Sequence, residues 1–137
     1  MDNVTTIPFK KHKHFEMLLE MLDLRQYPSV KKVTKKSLPK IGYIALLNNQ
    51  PIAVGFLRRV ECDEMAQIDG LTSNPMFGSL LRHEGLRQVV DRIIQDAKDL
   101  KLQGLYAFTE DQGVLKRAMN LGFKSHSHNL ISLSLDI

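Results

Sequence analysis

The sequence has no tryptophan and a single cysteine, Cys62, among its 137 residues. One cysteine cannot form an internal disulfide, and the Cys/His spacing of a structural zinc site cannot be assembled around it. Long apolar runs are also lacking, because no window approaches the roughly eighteen apolar residues of a membrane helix. No hydrophobic block follows Met1 as in a secretory signal, so we expect a cytoplasmic protein with no membrane partner.

Glycine and proline are sparse, with eight and five residues, whereas 43% of the chain is apolar and 25% is charged. This balance excludes a fibrous or disordered chain and is typical of a globular protein. A chain of this length can build one core without metal or disulfide, so we predict a single domain over residues 1–137.

The formal net charge of +4 is concentrated in residues 1–40, which hold nine basic and four acidic residues. Such a segment could steer an acidic partner or a nucleic acid to the protein. No aromatic residues alternate with the lysines and no helix-turn-helix pattern is present, which disfavours nucleic-acid binding. We expect solvated helix faces, with nucleic-acid docking through residues 10–40 as a minor hypothesis.

Hydrophobic periodicity predicts the element order β-α-α-β-β-β-α-β-α-β. The predicted strands cover residues 4–7, 41–47, 52–60, 65–73, 105–109 and 130–137. The predicted helices cover residues 11–25, a short segment after Ser29, the apolar stripe from Leu86 to Ala97, and residues 111–121. Because a helix joins the fourth and fifth strands, we predict a mixed α/β fold with a mostly antiparallel sheet, one parallel strand pair and helices on both faces.

Several local features add detail to this prediction. Asn48 and Asn49 tolerate the positive φ angles of a tight hairpin turn. Gly70 lies inside a strand, where glycine marks a bulge or the close approach of a ligand. Gly122 follows the last helix and should form a left-handed cap. The nearly unbroken apolar run at 105–109 predicts a central strand that is buried on both faces.

Three segments resemble the GNAT superfamily of acyl-CoA N-acetyltransferases. The sequence IAVGF at 52–56 is similar to the family's hairpin strands, AQIDGLTSNP at 66–75 to its fourth strand, and LGF at 121–123 to the end of its last helix. The resemblance implies a GNAT-like fold whose parallel strand pair is splayed. It also implies an enzyme that transfers the acetyl group of acetyl-CoA to an amine of a small molecule or a protein.

The resemblance places the acetyl-CoA pyrophosphate on a loop that opens a helix, in the family motif Q/R-x-x-G-x-G/A. Here the motif matches 82–87, which assigns to the cofactor Arg82, His83, Glu84, Gly85, Leu86 and Arg87. Arg87 replaces the final small residue, and we expect it to bind the phosphates rather than clash with them. In a competing register the helix begins at Ser79, and Gly85 is an ordinary glycine within it.

The remaining site residues also follow from the resemblance. The pantetheine arm would pair with the backbone of Leu71, Thr72 and Ser73, and a strand N–H would polarise the thioester carbonyl. Asp69 stands where family members often carry a glutamate, and burial would raise its basicity for the role of general base. The alternatives are a solvent-facing carboxylate at this position, or a base from the acidic cluster at 61–64.

The family's general acid is a tyrosine in the last helix, and this position is Ala118 here. His126 or His128 could protonate the departing thiolate instead, although surface histidines are the plainer interpretation. A metal pair at these histidines is disfavoured because a third ligand is lacking. The missing tyrosine supports a second hypothesis, in which a GNAT-like fold has lost turnover and serves as a binding or regulatory module.

Overall fold

The structure is a computed structural model that describes residues 3–25, 33–60, 64–109, 112–126, 133 and 135. Its elements are β1 (Thr5–Pro8), α1 (Lys11–Leu24), a 3₁₀ turn (Lys35–Ser37), β2 (Ile41–Leu47), β3 (Gln50–Arg59), β4 (Met65–Ser73), α2 (Ser79–Asp99), β5 (Gly104–Tyr106) and α3 (Gln112–Asn120). The chain forms two compact units, Met1–Ala107 and Phe108–Ile137. A single domain over the whole chain stays a prediction.

The first unit contains a five-stranded sheet in the order β1-β2-β3-β4-β5. All neighbours are antiparallel except β4 and β5, which are parallel and are joined through α2. The hairpin between β2 and β3 turns on Asn48 and Asn49, whose φ angles are 51° and 63°. Two consecutive positive φ angles match the twist of the flanking strands, so the predicted tight turn is confirmed.

One face of the sheet packs on α1. Ile44 and Val54 are cross-strand partners on this face, and they form a buried cluster with Phe56, Leu18 and Met21. Because α1 carries apolar residues at helical spacing on one side, burying that stripe against the β-branched face of the sheet builds this half of the core.

The other face packs on α2, and Gly85 sets the closeness of that contact. A Cβ atom added to Gly85 would lie 2.7 Å from Ile52 Cγ2 and 3.2 Å from Ala53 Cβ. The side chains of Val89 and Ile93 reach the same face beside Gly55. The helices therefore cover both faces, and the predicted fold class is confirmed.

The fifth strand differs from its prediction. β5 covers Gly104–Tyr106, its residues are half-buried, and it is the last strand of the sheet in the described part of the chain. The central strand expected at 105–109, buried on both faces, is not found there. The helix expected after Ser29 and the strand expected at 130–137 fall largely outside the described residues.

The second unit contains α3 and its cap. Gly122 has a φ angle of 98°, and the N–H of Phe123 donates to the carbonyl oxygen of Ala118 at 3.0 Å. These features are those of a helix that ends in a left-handed residue, so the predicted cap is confirmed. No helix in the described ranges is long and apolar enough to cross a membrane.

Candidate active site

The parallel strands part soon after they meet. Paired positions run from Met65 with Gly104 to Gln67 with Tyr106, whereas β4 continues to Ser73. Beyond Gln67, β5 supplies no partner to this edge of β4 in the residues that the structure describes. Unpaired N–H and C=O groups on a strand edge can bind an extended ligand. The predicted splay is therefore confirmed, and it forms a fork in the sheet.

A bulge in β4 lies at this fork. Val54 pairs with Thr72 and Phe56 pairs with Asp69, so two β4 residues oppose one β3 residue between these pairs. Gly70 is one of the two, and its φ angle is 61°, a left-handed conformation that glycine adopts at little cost. A bulge leaves one residue outside the ladder and re-aims the backbone, as the glycine predicted.

The connection from β4 to α2 is an ordered turn built on Asn74. Its side chain donates to the carbonyl oxygen of Pro51 at 2.8 Å and accepts from the N–H of Met76 at 3.0 Å. The N–H of Phe77 donates to the carbonyl oxygen of Asn74 at 3.2 Å. Gly78 is then the N-cap residue, with a φ angle of −65° and a ψ angle of 162°.

The helix α2 therefore begins at Ser79, and the prediction that it opens near Gly85 is wrong. The N–H of Arg82 already donates to the carbonyl oxygen of Gly78, at 3.1 Å. Because N–H groups inside a helix bond to the preceding turn, those of residues 82–87 cannot bind a phosphate. The competing register, which starts the helix at Ser79, is the one found.

The side chains of the matched motif have other roles. Gly85 lets α2 pack closely against β3, where a side chain would collide with Ile52. This packing explains the glycine without a bound phosphate. His83 is exposed, and Leu86 is half-buried on the helix. These three residues were assigned to the cofactor as parts of a loop, whereas the structure places them within α2.

Arg87 binds carboxylates of its own helix. Its Nη2 and Nε donate to the two oxygens of Glu84 at 2.6 and 3.1 Å, and its Nη1 donates to Asp91 Oδ2 at 2.7 Å. Hydrogen bonds from Arg87, followed by one from Gln88, lower the pKa of Glu84 to about 2. Arg87 and Glu84 are thus paired on the helix surface, and the expectation that Arg87 binds the phosphates stays a prediction that these contacts do not support.

Arg82 differs from the rest of the motif. Its Nε is buried and has no hydrogen-bond partner in the described part of the chain. It lies one turn after the start of α2, where the N–H groups of the first turn lack partners within the helix. A cation beside these groups and the positive end of the helix dipole suits an anion. In the sequence, Gly78 after the Asn-Pro turn indicates this helix start. The motif match at 82–87 favoured a later start instead.

Of the three residues predicted to pair with pantetheine, Thr72 and Ser73 are buried and Leu71 is half-buried. The carbonyl oxygen of Ser73 accepts from Arg25 Nε at 2.9 Å, and Ser73 Oγ accepts from Arg25 Nη2 at 2.5 Å. Arg25 therefore ties the end of α1 to the end of β4 and occupies polar atoms of Ser73. A backbone contact at Leu71 and Thr72 stays a prediction.

Asp69 is one half of an ion pair. Its Oδ2 accepts from Arg58 Nε at 2.7 Å, and its side chain is 33% exposed. Arg58 Nη2 also donates to the carbonyl oxygen of Ser37 at 2.9 Å, which holds the guanidinium in place. The burial expected of this carboxylate is not found, so its role as general base stays a prediction without that support.

The histidine candidates belong to the second unit. His126 is exposed, and its role as proton donor stays a prediction. His128 lies outside the described residues, as do Glu61 and Asp63 of the acidic cluster. Within the described ranges, no three or more His, Cys, Asp or Glu residues are grouped so as to hold a metal ion.

Tyr106 is a candidate that the sequence analysis did not identify. It pairs with Gln67 at the fork. Gln67 lies two residues before Asp69, and Asp69 pairs with Phe56, so the register places Tyr106 and Asp69 on the α1 face. The resemblance predicts the general acid in the last helix. The position of Tyr106 depends instead on the parallel pairing of β4 and β5, which local sequence patterns do not predict.

Solved structures share this fold. A GNAT-family acetyltransferase from Streptococcus pneumoniae TIGR4 has a TM-score of 0.71 at 13% identity, covering 99% of this chain and 100% of that chain. A GNAT-family acetyltransferase from Staphylococcus aureus Mu50 has a TM-score of 0.69 at 15% identity, with 98% and 95% covered. A transcriptional regulator from Bacillus halodurans C-125 has a TM-score of 0.67 at 18% identity, with 97% and 100% covered.

No protein-family model matches the sequence, and no curated protein sequence matches it significantly. The similarity is therefore one of structure, at identities where the fold persists although most side chains differ. The resemblance of the three sequence segments is confirmed at this level: the chain has the fold of the GNAT acetyltransferases.

Proposed function

We propose that the chain is an enzyme that transfers the acetyl group of acetyl-CoA to an amine of a small molecule or a protein. The observation that carries this proposal is the fork, where β4 leaves β5 after Gln67 and runs on to Ser73. In the part of the chain that the structure describes, the fork combines a strand edge without a partner, a bulge and a helix start in one stretch. The GNAT fold of the solved structures supports the same function.

The residues of the first unit fit the parts of the cofactor. The unpaired edge of β4 at Leu71 and Thr72 would hold the pantetheine amides through backbone hydrogen bonds. The first turn of α2, after Gly78, would hold the pyrophosphate together with the Arg82 guanidinium. Acetyl-CoA supplies an activated acyl group in the form of a thioester.

The bulge provides a means of stabilising negative charge on the thioester oxygen. The residue that a bulge leaves unpaired has an N–H outside the sheet ladder, and Gly70 allows the backbone to turn there. A fixed N–H aimed at a developing oxyanion requires no particular side chain. This part of the chemistry is therefore compatible with the unusual side chains of the site.

Proton transfer needs a base for the acceptor ammonium and an acid for the thiolate. Asp69 and Tyr106 lie on the same face of the sheet at the fork. Asp69 Oδ2 is engaged by Arg58, which leaves its other oxygen as the candidate base. Tyr106 carries the same phenol as the family's usual acid and is the candidate donor in this chain.

The direct experiment measures thiol release from acetyl-CoA over a panel of amines, together with coenzyme A binding by calorimetry. We expect micromolar to millimolar cofactor binding, and turnover with at least one amine. A folded chain that binds no coenzyme A would refute the proposal.

A second function is favoured by two specific observations. The Asp69 carboxylate is held by Arg58, and Ala118 replaces the tyrosine of the last helix. A GNAT fold that binds the cofactor without transferring the acyl group would serve as a binding or regulatory module. A structure of this fold is described as a transcriptional regulator. Coenzyme A binding without acetyl transfer to any amine would favour this second function.

A further inference from the structure

A groove of about 270 Å³ lies between α1, the start of β3 and the connection from β4 to α2. Its apolar lining consists of Met17, Met21, Leu24, Pro51, Met76 and Phe77. Two of these apolar side chains face solvent extensively, since Met76 is 75% exposed and Leu24 is 49% exposed. Adjoining exposed apolar side chains around a groove are typical of a binding surface.

One rim of the groove is acidic. Glu20 lines the groove, and Glu16 and Asp23 are exposed on the same side of α1 at spacings of four and three residues, in a row that begins with the exposed Lys13. That spacing aligns them along the helix beside Met17 and Leu24. None of the three carboxylates has an ion pair in the described part of the chain. The groove thus joins an apolar floor to a row in which three carboxylates outnumber one lysine.

We propose that this groove binds a basic amphipathic helix of another protein. Three methionines give an apolar surface that adapts to different side chains, as in grooves that accept amphipathic helices. Lysines or arginines beside the apolar stripe of the partner would meet Glu16, Glu20 and Asp23. With 14 residues, α1 is about 21 Å long, which matches a partner helix of roughly four turns.

Charge also decides against two other occupants. The phosphates of a nucleotide cofactor would be repelled by the acidic rim, which separates this groove from the anion site proposed at Arg82. A symmetric pairing of two copies through the groove would bring both acidic rims into one interface. A partner with the opposite charge meets neither obstacle.

The test uses two synthetic 16-residue helical peptides with the same leucine stripe, one with lysines and one with glutamates at the flanking positions. The protein carries ¹³C-labelled methionine methyl groups, and their resonances are followed during titration. We expect the lysine peptide to shift Met17, Met21 and Met76, while Met65 on β4 serves as the internal control. The glutamate peptide should leave all four resonances in place.

Variants then test the rim and the floor. Glu20→Lys should weaken the lysine peptide about threefold to tenfold, whereas Asp99→Lys, an exposed reversal at the end of α2, should leave its affinity unchanged. Met76→Asp removes the exposed part of the floor and should abolish binding.

Three results would overturn the proposal: equal shifts with both peptides, no shift at millimolar lysine peptide, or an affinity that Glu20→Lys leaves intact. Shifts at the groove methionines that depend on protein concentration alone would instead identify a second copy as the occupant. All these readouts are independent of acetyl transfer.

Discussion

Arg58 donates its Nε hydrogen to Asp69 Oδ2 at 2.7 Å, across two neighbouring strands. The pair joins the residue expected to act as base to a guanidinium that is itself anchored on the carbonyl oxygen of Ser37. Asp69 can therefore be a positioned proton acceptor at the fork, or half of a structural ion pair. These two roles predict different kinetics.

If Asp69 accepts the proton of the acceptor amine, Asp69→Asn should lower kcat by about 100-fold or more, with little change in the amine KM. Asp69→Glu keeps a carboxylate and should recover part of the rate. The measurement is steady-state thiol release at saturating acetyl-CoA. A kcat within a factor of two of the parent, accompanied only by a lower Tm, would assign the pair to stability.

Arg82 and Arg87 provide a matched comparison for the cofactor site. Arg82→Ala removes a cation whose buried Nε has no hydrogen-bond partner among the described residues, and coenzyme A binding should weaken about tenfold. Arg87→Ala removes a side chain already bonded to Glu84 and Asp91, and binding should change less than about twofold. Calorimetric titration of both variants measures the difference. Equal losses would show that general charge, rather than a defined site, holds the phosphates.

The parts of this fold that depend on neighbouring residues could be predicted from the sequence. The turn at Asn48 and Asn49, the cap at Gly122 and the bulge at Gly70 each depend on a backbone conformation that few residue types adopt. The helices α1 and α2 could also be predicted, because burial of one helix face places apolar residues at helical spacing along the sequence.

The site was harder to predict because its chemistry is not local. Residues 82–87 match a phosphate-binding motif, but Asn74 and Gly78, several residues earlier, determine where the helix begins. The partner of Asp69 comes from β3, and its identity depends on the strand register. Tyr106 lies at the fork because β5 pairs with β4, and the whole of α2 separates these two strands in sequence. Gln67 and Tyr106 are 106 − 67 = 39 residues apart, so no local window of sequence contains both.

Gly85 is predicted to be a packing glycine. In Gly85→Ala, the new methyl group would lie 2.7 Å from Ile52 Cγ2, so overpacking should exceed the gain in helix propensity. We expect a net loss of about 1–2 kcal/mol in the free energy of unfolding, measured by urea denaturation. Ile52→Ala removes the colliding methyl group, so the double variant should lose less stability than the sum of both single variants. Strict additivity would contradict this account.

His14 should make stability sensitive to mild acid. It is 1% exposed, and its Nδ1 accepts from the N–H of Lys10 at 2.9 Å, at the start of α1. Burial, followed by the positive charges of Lys13 and Lys10, lowers the pKa of His14 below its usual 6.5. The unfolded chain therefore binds the extra proton first, and the free energy of unfolding should fall as the pH drops below about 6.5.

The variant His14→Gln keeps a polar side chain but cannot titrate. We expect its free energy of unfolding to vary less between pH 7 and pH 5 than that of the parent, when both are measured by urea denaturation. His12→Gln is the control, because His12 is exposed on the same helix. If His12→Gln flattened the profile as much as His14→Gln, burial of His14 would not be the cause.

Tyr106 and Tyr43 separate catalysis from folding. Tyr106 is in the last paired position before the fork, on the sheet face of Asp69, where a phenol could protonate the departing thiolate. Tyr43 is buried, donates its hydroxyl hydrogen to Asp96, and lies under the Arg92 guanidinium at 4.6 Å. Both positions accept phenylalanine with the loss of one hydroxyl group.

Tyr106→Phe should lower kcat for acetyl transfer by about tenfold to 100-fold while coenzyme A binding stays the same, because only the proton donor is lost. Tyr43→Phe should leave kcat unchanged and lower Tm, since Asp96 loses its hydrogen-bond donor. The paired measurement is a kcat-pH profile and a thermal melt for each variant. A basic limb that persists unchanged in Tyr106→Phe would exclude this phenol as the acid. Protonation of the thiolate would then fall to solvent or to another group, because a thiol with a pKa of about 8.5 is a good enough leaving group to depart without a dedicated donor.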